Sequence, residues 1–75
     1  MRTFIYLIGS TDEFDSLEDL RNAYFNGPVL GRNMSAFDFD LPANCSDEIA
    51  VRVGRGLAFE NDWCMDGTFS CLLEA

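Results

Sequence analysis

Residues 3–8, TFIYLI, are the strongest strand signal in this chain. β-Branched and aromatic residues dominate it, and such residues are enriched in strands. Both alternating faces of the stretch are apolar, which predicts a central strand covered on both sides. Gly9 ends the strand, and the polar, acidic residues 10–15 form a loop. We therefore expect a sheet whose middle strand comes first in the sequence.

A helix is predicted directly after this loop. Ser16 is a good N-cap, and Asp19 three residues later gives a pattern that resembles a capping box. Asn26-Gly27-Pro28 supplies the stop, so the helix should cover about residues 17–26. Its apolar residues recur at helical spacing, and they are Leu17, Leu20, Tyr24 and Phe25.

Residues 46–60 favour a second helix but leave a strand open. Ser46 is again an N-cap, and acidic residues follow it in the first turn. Apolar residues with a spacing of four support the helix, and they are Ile49, Val53 and Leu57. A stripe of small residues beside them would let the helix pack closely on a sheet: Ala50, Gly54 and Ala58. Gly54 and Gly56 each weaken a helix by about 1 kcal/mol, and alternation of Ile49, Val51 and Val53 is the strand alternative.

The remaining segments read as extended. In residues 36–41, AFDFDL, apolar and polar side chains alternate, so Phe37, Phe39 and Leu41 should face the core. Val29-Leu30 predicts a short extended piece. Residues 63–65 and 68–73 flank Asp66-Gly67, which is typical of a type I′ hairpin turn. The chain is thus expected to be a single α+β domain over residues 1–75, in the order β-α-(extended)-α-β-β, with an antiparallel sheet packed by two helices.

Charge limits the partners of this chain. Its 75 residues carry 13 acidic and five basic side chains, all five of them arginine, for a net charge of −8. A nucleic-acid-binding surface needs a basic footprint, so direct binding to nucleic acid is excluded, and anionic membranes are disfavoured for the same reason. A basic protein is the natural partner. The alternative is that the acidity only keeps a small protein soluble.

Composition also argues against catalysis and bound cofactors. The chain has no histidine and no lysine, which are the commonest general bases and amine nucleophiles, so we expect no enzyme. Three cysteines, Cys45, Cys64 and Cys71, lack zinc-ligand spacing and read as buried thiols. An EF-hand loop starting at Asp38 fails at Pro42, so neither a metal nor another cofactor is predicted. No secretion signal or membrane span is recognisable, which favours the cytoplasm.

The acidic clusters are the candidate binding residues. Seven carboxylates are predicted to contact a partner: Asp12, Glu13, Asp15, Asp38, Asp40, Asp47 and Glu48. Helix capping alone explains Asp47 and Glu48, so the loop and strand clusters are preferred. Alternate residues of a strand lie roughly 6–7 Å apart, which gives Asp38 and Asp40 a charge density near that of a nucleic-acid backbone. Arginine recognises carboxylates and phosphates with the same bidentate geometry.

In size, acidity and lack of catalytic residues, the chain resembles small phage- and mobile-element-encoded inhibitors of bacterial defence, the anti-CRISPR and anti-restriction proteins. These families share no motif. The resemblance implies an inhibitor in the cytoplasm of a bacterial host, monomeric or a small homo-oligomer. It would bind a CRISPR effector complex or another basic DNA-binding protein and block DNA through an acidic, DNA-mimicking surface. Phe37, Phe39 or Trp63 would add an apolar anchor if exposed.

Two other hypotheses remain open from the sequence. One is an antitoxin-like or assembly partner that binds through an apolar face, with an affinity that hardly depends on salt. The other is a small metal- or ligand-binding module, which a metal-dependent shift in melting temperature would support.

Overall fold

The computed structural model describes residues 1–27, 34–61 and 66–75. Within them, the chain forms β1 (Arg2–Ser10), α1 (Leu17–Phe25), β2 (Met34–Leu41), α2 (Asp47–Glu60) and β3 (Thr68–Glu74). The three strands make one antiparallel sheet in the order β2-β1-β3. The predicted α+β class, the antiparallel sheet, the central position of β1 and the two packing helices are all confirmed.

The two helices cover opposite faces of the sheet. Side chains alternate along β1, so Leu7 packs with residues of α1, whereas Tyr6 and Ile8 pack with Ala58 of α2. This explains why both faces of residues 3–8 are apolar, as the sequence indicated. Both helices pack mainly against β1 and β3, which leaves β2 at the less covered side of the sheet.

On the α1 face, large side chains fill the core. Leu7, Phe14 and Leu20 are almost fully buried and pack together with Ala23. Phe14 comes from the acidic loop, whose backbone is held because the N–H groups of residues 13 and 14 donate to the carbonyl of Ser10. The polar loop is thus anchored by one aromatic side chain in the core.

On the α2 face, the helix comes close to the sheet through small residues. Ala50, Gly54 and Ala58 are buried, as the predicted small-residue stripe requires. A Cβ atom added at Gly54 would lie 2.7 Å from a ring carbon of Tyr6. Aromatic rings fill the volume beneath the helix, and Phe4 stacks on Phe39 with 5.7 Å between ring centroids.

Capping residues in the sequence mark where both helices begin and where α1 ends. Ser16 Oγ accepts a hydrogen bond from the N–H of Asp19 at 3.1 Å, and Ser46 Oγ accepts one from Ile49 at 3.3 Å, so both predicted N-caps are confirmed. The helix over residues 46–60 is confirmed and its strand alternative is wrong. Gly27 has a φ of +84°, a conformation suited to glycine after a helix end.

Several details differ from the expectation. Leu17 and Phe25 belong to the predicted apolar pattern of α1, but they are 37% and 64% exposed, because Leu20 and Ala23 occupy the buried stripe. Ile49 is likewise 50% exposed, since the small residues of α2 face the sheet instead. β3 pairs with β1. The other strand of the predicted hairpin, residues 63–65, and the predicted extended piece Val29-Leu30 lie outside the described residues.

Candidate protein-binding surface

Asp38 and Asp40 lie on one face of the strand β2. The register pairs Asp38 with Ile5 and Asp40 with Thr3 of β1. Since Ile5 packs against the Leu7 cluster, alternation puts both carboxylates on the α1 side of the sheet. Both are exposed, as predicted, whereas Phe39 between them points to the α2 side. The strand thus presents two outward carboxylates at alternate positions.

Asp38 and Asp40 are unlike the acidic residues of α2 in their contacts with the described part of the chain. Thr3 Oγ1 donates a hydrogen bond to Asp40 Oδ1 at 2.5 Å. Among the described residues, no arginine lies within ion-pair distance of Asp38 or Asp40. Their charge is therefore available to a partner, except for what solvent and salt screen.

A shallow depression of about 180 Å³ adjoins Asp38. The strands β1 and β2 and the helix α1 all contribute to its lining, which consists of Ile5, Tyr24, Ala36, Phe37 and Asp38. Most of this lining is apolar and one side chain is a carboxylate. The sequence did not predict this depression, because Tyr24 and Asp38 come together only when α1 packs on the sheet.

The loop carboxylates lie at the other end of β1. Asp12 and Asp15 are exposed, and Glu13 is half-buried and interacts with the rest of the protein. The N–H of Asp12 donates to Ser10 Oγ at 3.1 Å, and the N–H of Asp15 donates to Asp19 Oδ2 at 3.3 Å. The loop is therefore well held and keeps its charges in defined positions.

Asp47 and Glu48 are paired with arginines. Arg2 Nη2 lies 2.6 Å from Asp47 Oδ1, and Glu48 Oε1 lies 3.1 Å from Arg52 Nη2 one turn along α2. Arg2 also binds Glu74 of β3 at 2.8 Å and stands over the ring of Phe4, 4.9 Å from its centroid. These pairs reduce the charge that Asp47 and Glu48 offer to a partner.

Ion pairing shifts the pKa values of Arg2 and Glu74. The hydrogen bond from Arg2 lowers the pKa of the Glu74 carboxyl below its ordinary value. Hydrogen bonds to Glu74 and then to Asp47 raise the pKa of the Arg2 guanidinium. The hydrogen bonds of Arg2 tie β1, β3 and the start of α2 together.

The seven predicted carboxylates do not form one continuous site. Asp40 stands beside Thr3 near one end of β1, and Asp12 follows Ser10 at the other, which separates them by roughly 20 Å along the strand. Asp47 lies near the Asp40 end but is held by Arg2 over the α2 face. The structure brings only Asp38 and Asp40 together on one surface, with the loop group apart from them.

The aromatic residues of β2 face the core, as predicted, and do not form an exposed anchor. Phe37 and Phe39 are half-buried, and their rings take part in aromatic contacts of the core. Trp63 lies outside the described residues. The most exposed aromatic rings are instead Phe59 at 76% and Phe25 at 64% among the described residues. A helical projection would have found Phe59, since it stands opposite the stripe that Ala50, Gly54 and Ala58 form.

The cysteines and the acidic groups present no metal centre within residues 1–27, 34–61 and 66–75, since no three potential ligands come together there. Cys45 and Cys71 are free thiols, and burial raises the pKa of Cys71. Cys64 lies outside the described residues. Neither described helix is long and apolar enough to cross a membrane.

No protein-family model matches the chain, and no curated protein or solved structure matches it either. The function is therefore argued from the surface itself.

Proposed function

We propose that this chain is a non-catalytic inhibitor that binds a basic, DNA-binding protein of bacterial defence and blocks its access to DNA. A CRISPR effector complex or a restriction enzyme is the target class. The observation that carries the proposal is the pair of exposed carboxylates Asp38 and Asp40, which stand at alternate positions of β2 with no described arginine beside them.

The spacing of these carboxylates supports mimicry of a phosphate backbone. Their separation of roughly 6–7 Å along the strand is close to that of successive phosphates. An arginine that binds a phosphate through two parallel hydrogen bonds binds a carboxylate in the same way. The net charge of −8 adds long-range attraction, which speeds the encounter with a basic groove.

The rigid setting of the charges supports the same proposal. Asp38 and Asp40 belong to a paired strand, so their backbone is already ordered before a partner arrives. Binding therefore costs less conformational entropy than it would for an acidic disordered tail. The loop carboxylates Asp12 and Asp15 form a second, separate contact region at the far end of β1.

The experiment is capture of a basic DNA-binding effector by the tagged chain, followed by competition with the DNA of that effector. Asp38→Lys/Asp40→Lys should weaken binding at least 100-fold, about 3 kcal/mol, because two like charges then meet the partner. Glu18→Lys/Glu60→Lys is the matched control, since it makes the same change in net charge on exposed helix positions. It should weaken binding about tenfold or less.

Three results would contradict this proposal. Equal loss of binding in both double variants would mean that net charge alone attracts the partner. Unchanged inhibition by Asp38→Lys/Asp40→Lys would exclude β2 as the contact. Binding that survives at high salt would exclude a charge-driven interface, because such interfaces are screened.

A second candidate function is supported by the ring of Phe59 on α2, which is 76% exposed. In this function the chain is an antitoxin-like or assembly partner that binds through an apolar helix surface, where aromatic residues act as anchors. Phe59→Ser should then abolish a salt-resistant complex, while Asp38→Lys/Asp40→Lys leaves that complex intact. Analytical ultracentrifugation of both variants with the partner separates the two functions.

A further inference from the structure

The outer edge of β2 has the features of a strand-binding site. β2 is eight residues long, and within the described residues it pairs on one side only, with β1. The alternate N–H and C=O groups that point away from β1 match those of an extended peptide. Both helices make fewer contacts with this strand than with β1 and β3.

The side chains of β2 define what such a peptide must carry. Asp38 and Asp40 project from the α1 side, and Phe37 and Phe39 project from the α2 side. Residues of a paired strand that lie directly opposite project from the same side of the sheet. A peptide that fits must therefore place basic side chains opposite the aspartates and apolar side chains opposite the phenylalanines.

The depression beside Asp38 adds a seat for one basic side chain. Ile5, Tyr24 and Ala36 provide an apolar lining of the right kind for the methylene stem of an arginine. The Asp38 carboxylate in the same lining suits the guanidinium group. The depression opens on the α1 side of β2, which is the side that the basic residues of the peptide would occupy.

We propose that β2 binds, by strand addition at its outer edge, an extended segment of the partner protein in which basic and apolar residues alternate. This inference rests on the proposed function, because it takes the partner to be a basic protein. It goes further in giving the backbone of the partner a role, so that main-chain hydrogen bonds supply affinity and the alternation supplies specificity.

A second copy of the chain fits this edge poorly. In an antiparallel pair of two β2 strands, the aspartates of one copy face or neighbour those of the other, and like charges opposite each other destabilise a sheet. Each copy also carries a net charge of −8. Charge complementarity thus favours a basic segment over self-association.

The test uses the intact chain and a synthetic peptide of alternating arginine and valine, about eight residues long to match β2. Two modified peptides serve as a matched pair: one has N-methyl groups on every arginine amide, the other on every valine amide. In strand addition only one of these two sets of amides points toward β2. Fluorescence anisotropy should show that one modified peptide binds at least tenfold more weakly than the parent and that the other binds nearly as well.

Two further measurements connect the peptide to the described surface. Amide hydrogen exchange should slow in residues 34–41 when the parent peptide is bound. Asp38→Asn should weaken the peptide about tenfold, as expected for loss of a charge-assisted hydrogen bond, whereas Asp12→Asn, which removes the same charge at the other end of β1, should weaken it less than about threefold.

The inference is overturned if both N-methylated peptides bind alike, if the peptide does not bind, or if the free chain is a dimer whose β2 amides are already protected. These results leave the proposed function standing whenever Asp38→Lys/Asp40→Lys still abolishes capture of the basic effector. Loss of that dependence on Asp38 and Asp40 would overturn the proposed function as well.

Discussion

The two faces of the sheet are closed in opposite ways. On the α1 side, large side chains from the helix and from the preceding loop, Leu20 and Phe14, are pressed into the sheet. On the α2 side, the helix contributes only small residues, and its backbone approaches rings that belong to the strands. One face is filled by the helix and the other by the sheet.

The two faces are buried to a similar degree, but they should respond differently to substitutions that change side-chain size. A face filled by large helix side chains loses stability when a side chain is shortened, because a cavity remains. A face closed by small residues loses stability when a side chain is lengthened, because the neighbouring rings have no room to move. Substitutions on the two faces should therefore change the free energy of unfolding in different ways.

Leu20→Ala should destabilise the protein most, by about 2–5 kcal/mol, through lost burial and the cavity left on the α1 face. Leu20 is fully buried, whereas Leu17 on the same helix is 37% exposed. Leu17→Ala is therefore the matched control and should cost less than about 1 kcal/mol. Urea unfolding followed by circular dichroism measures both, and equal losses would contradict the assignment of the buried stripe.

Gly54→Ala should destabilise the protein by about 1–3 kcal/mol, although alanine is the better helix former. The added methyl group would lie 2.7 Å from the Tyr6 ring, which is buried and whose hydroxyl lies within hydrogen-bond distance, 3.2 Å, of Ser70 Oγ. Gly56→Ala on the same helix meets nothing within 4 Å.

The Gly56→Ala control should therefore stabilise the protein by about 0.5–1 kcal/mol, since only the helix propensity changes. Opposite signs for these two glycine substitutions in thermal or urea unfolding support close contact on the α2 face. A stabilising Gly54→Ala would show that the helix has room to spare.

Ser16→Ala and Ser46→Ala should each cost about 1 kcal/mol, because each removes the side-chain acceptor of a helix N-cap. The effect on local opening should differ between the faces, since α1 has nine residues and α2 has fourteen. Amide hydrogen exchange along the whole of both helices is the measurement. We expect faster exchange throughout α1 in Ser16→Ala but only near the start of α2 in Ser46→Ala.

Glu74→Gln should have the smallest effect on stability, and the size of that effect depends on pH. Because Arg2 lowers the pKa of Glu74 in the folded protein, the ion pair stabilises the fold above the pKa of the unfolded carboxyl. That stabilisation disappears as the pH falls through the lower folded pKa. Wild type should therefore exceed Glu74→Gln in melting temperature at neutral pH and converge with it in acid.

Glu60→Gln is the control for this pH dependence, since it removes one exposed carboxylate at the end of α2 and leaves Arg2 untouched. A difference between wild type and Glu74→Gln that persists unchanged in acid would contradict an ionic origin.

The sequence predicted those features that depend on neighbours along the chain. The strand period of residues 36–41, the serine N-caps and the small-residue stripe of α2 are local patterns, and each was found as expected. The exposure of Leu17 and Phe25 could not be predicted, because helical spacing alone allows either of two adjacent stripes of α1 to face the core. In the structure, the narrower stripe of Leu20 and Ala23 packs against the sheet.

The candidate surface was predictable only in part. The alternation of apolar and polar residues along β2 was enough to predict that Asp38 and Asp40 are exposed. The pairing of Asp47 with Arg2, and the depression that joins Tyr24 to Asp38, depend on which elements meet in space. No spacing along the sequence encodes such meetings, because they connect residues far apart in the chain.

The pairing of β1 with β3 sets the order in which this protein can be built. Phe4 faces Glu74, and the N–H of Ala75 donates to the carbonyl of Thr3 at 2.9 Å. During synthesis, the edge of β1 that pairs with β3 therefore stays unpaired until residues 68–74 leave the ribosome. Closing so long a loop is slow compared with forming either helix. The nascent chain thus passes through a stage in which a hydrophobic strand is exposed, when chaperones or aggregation compete with folding.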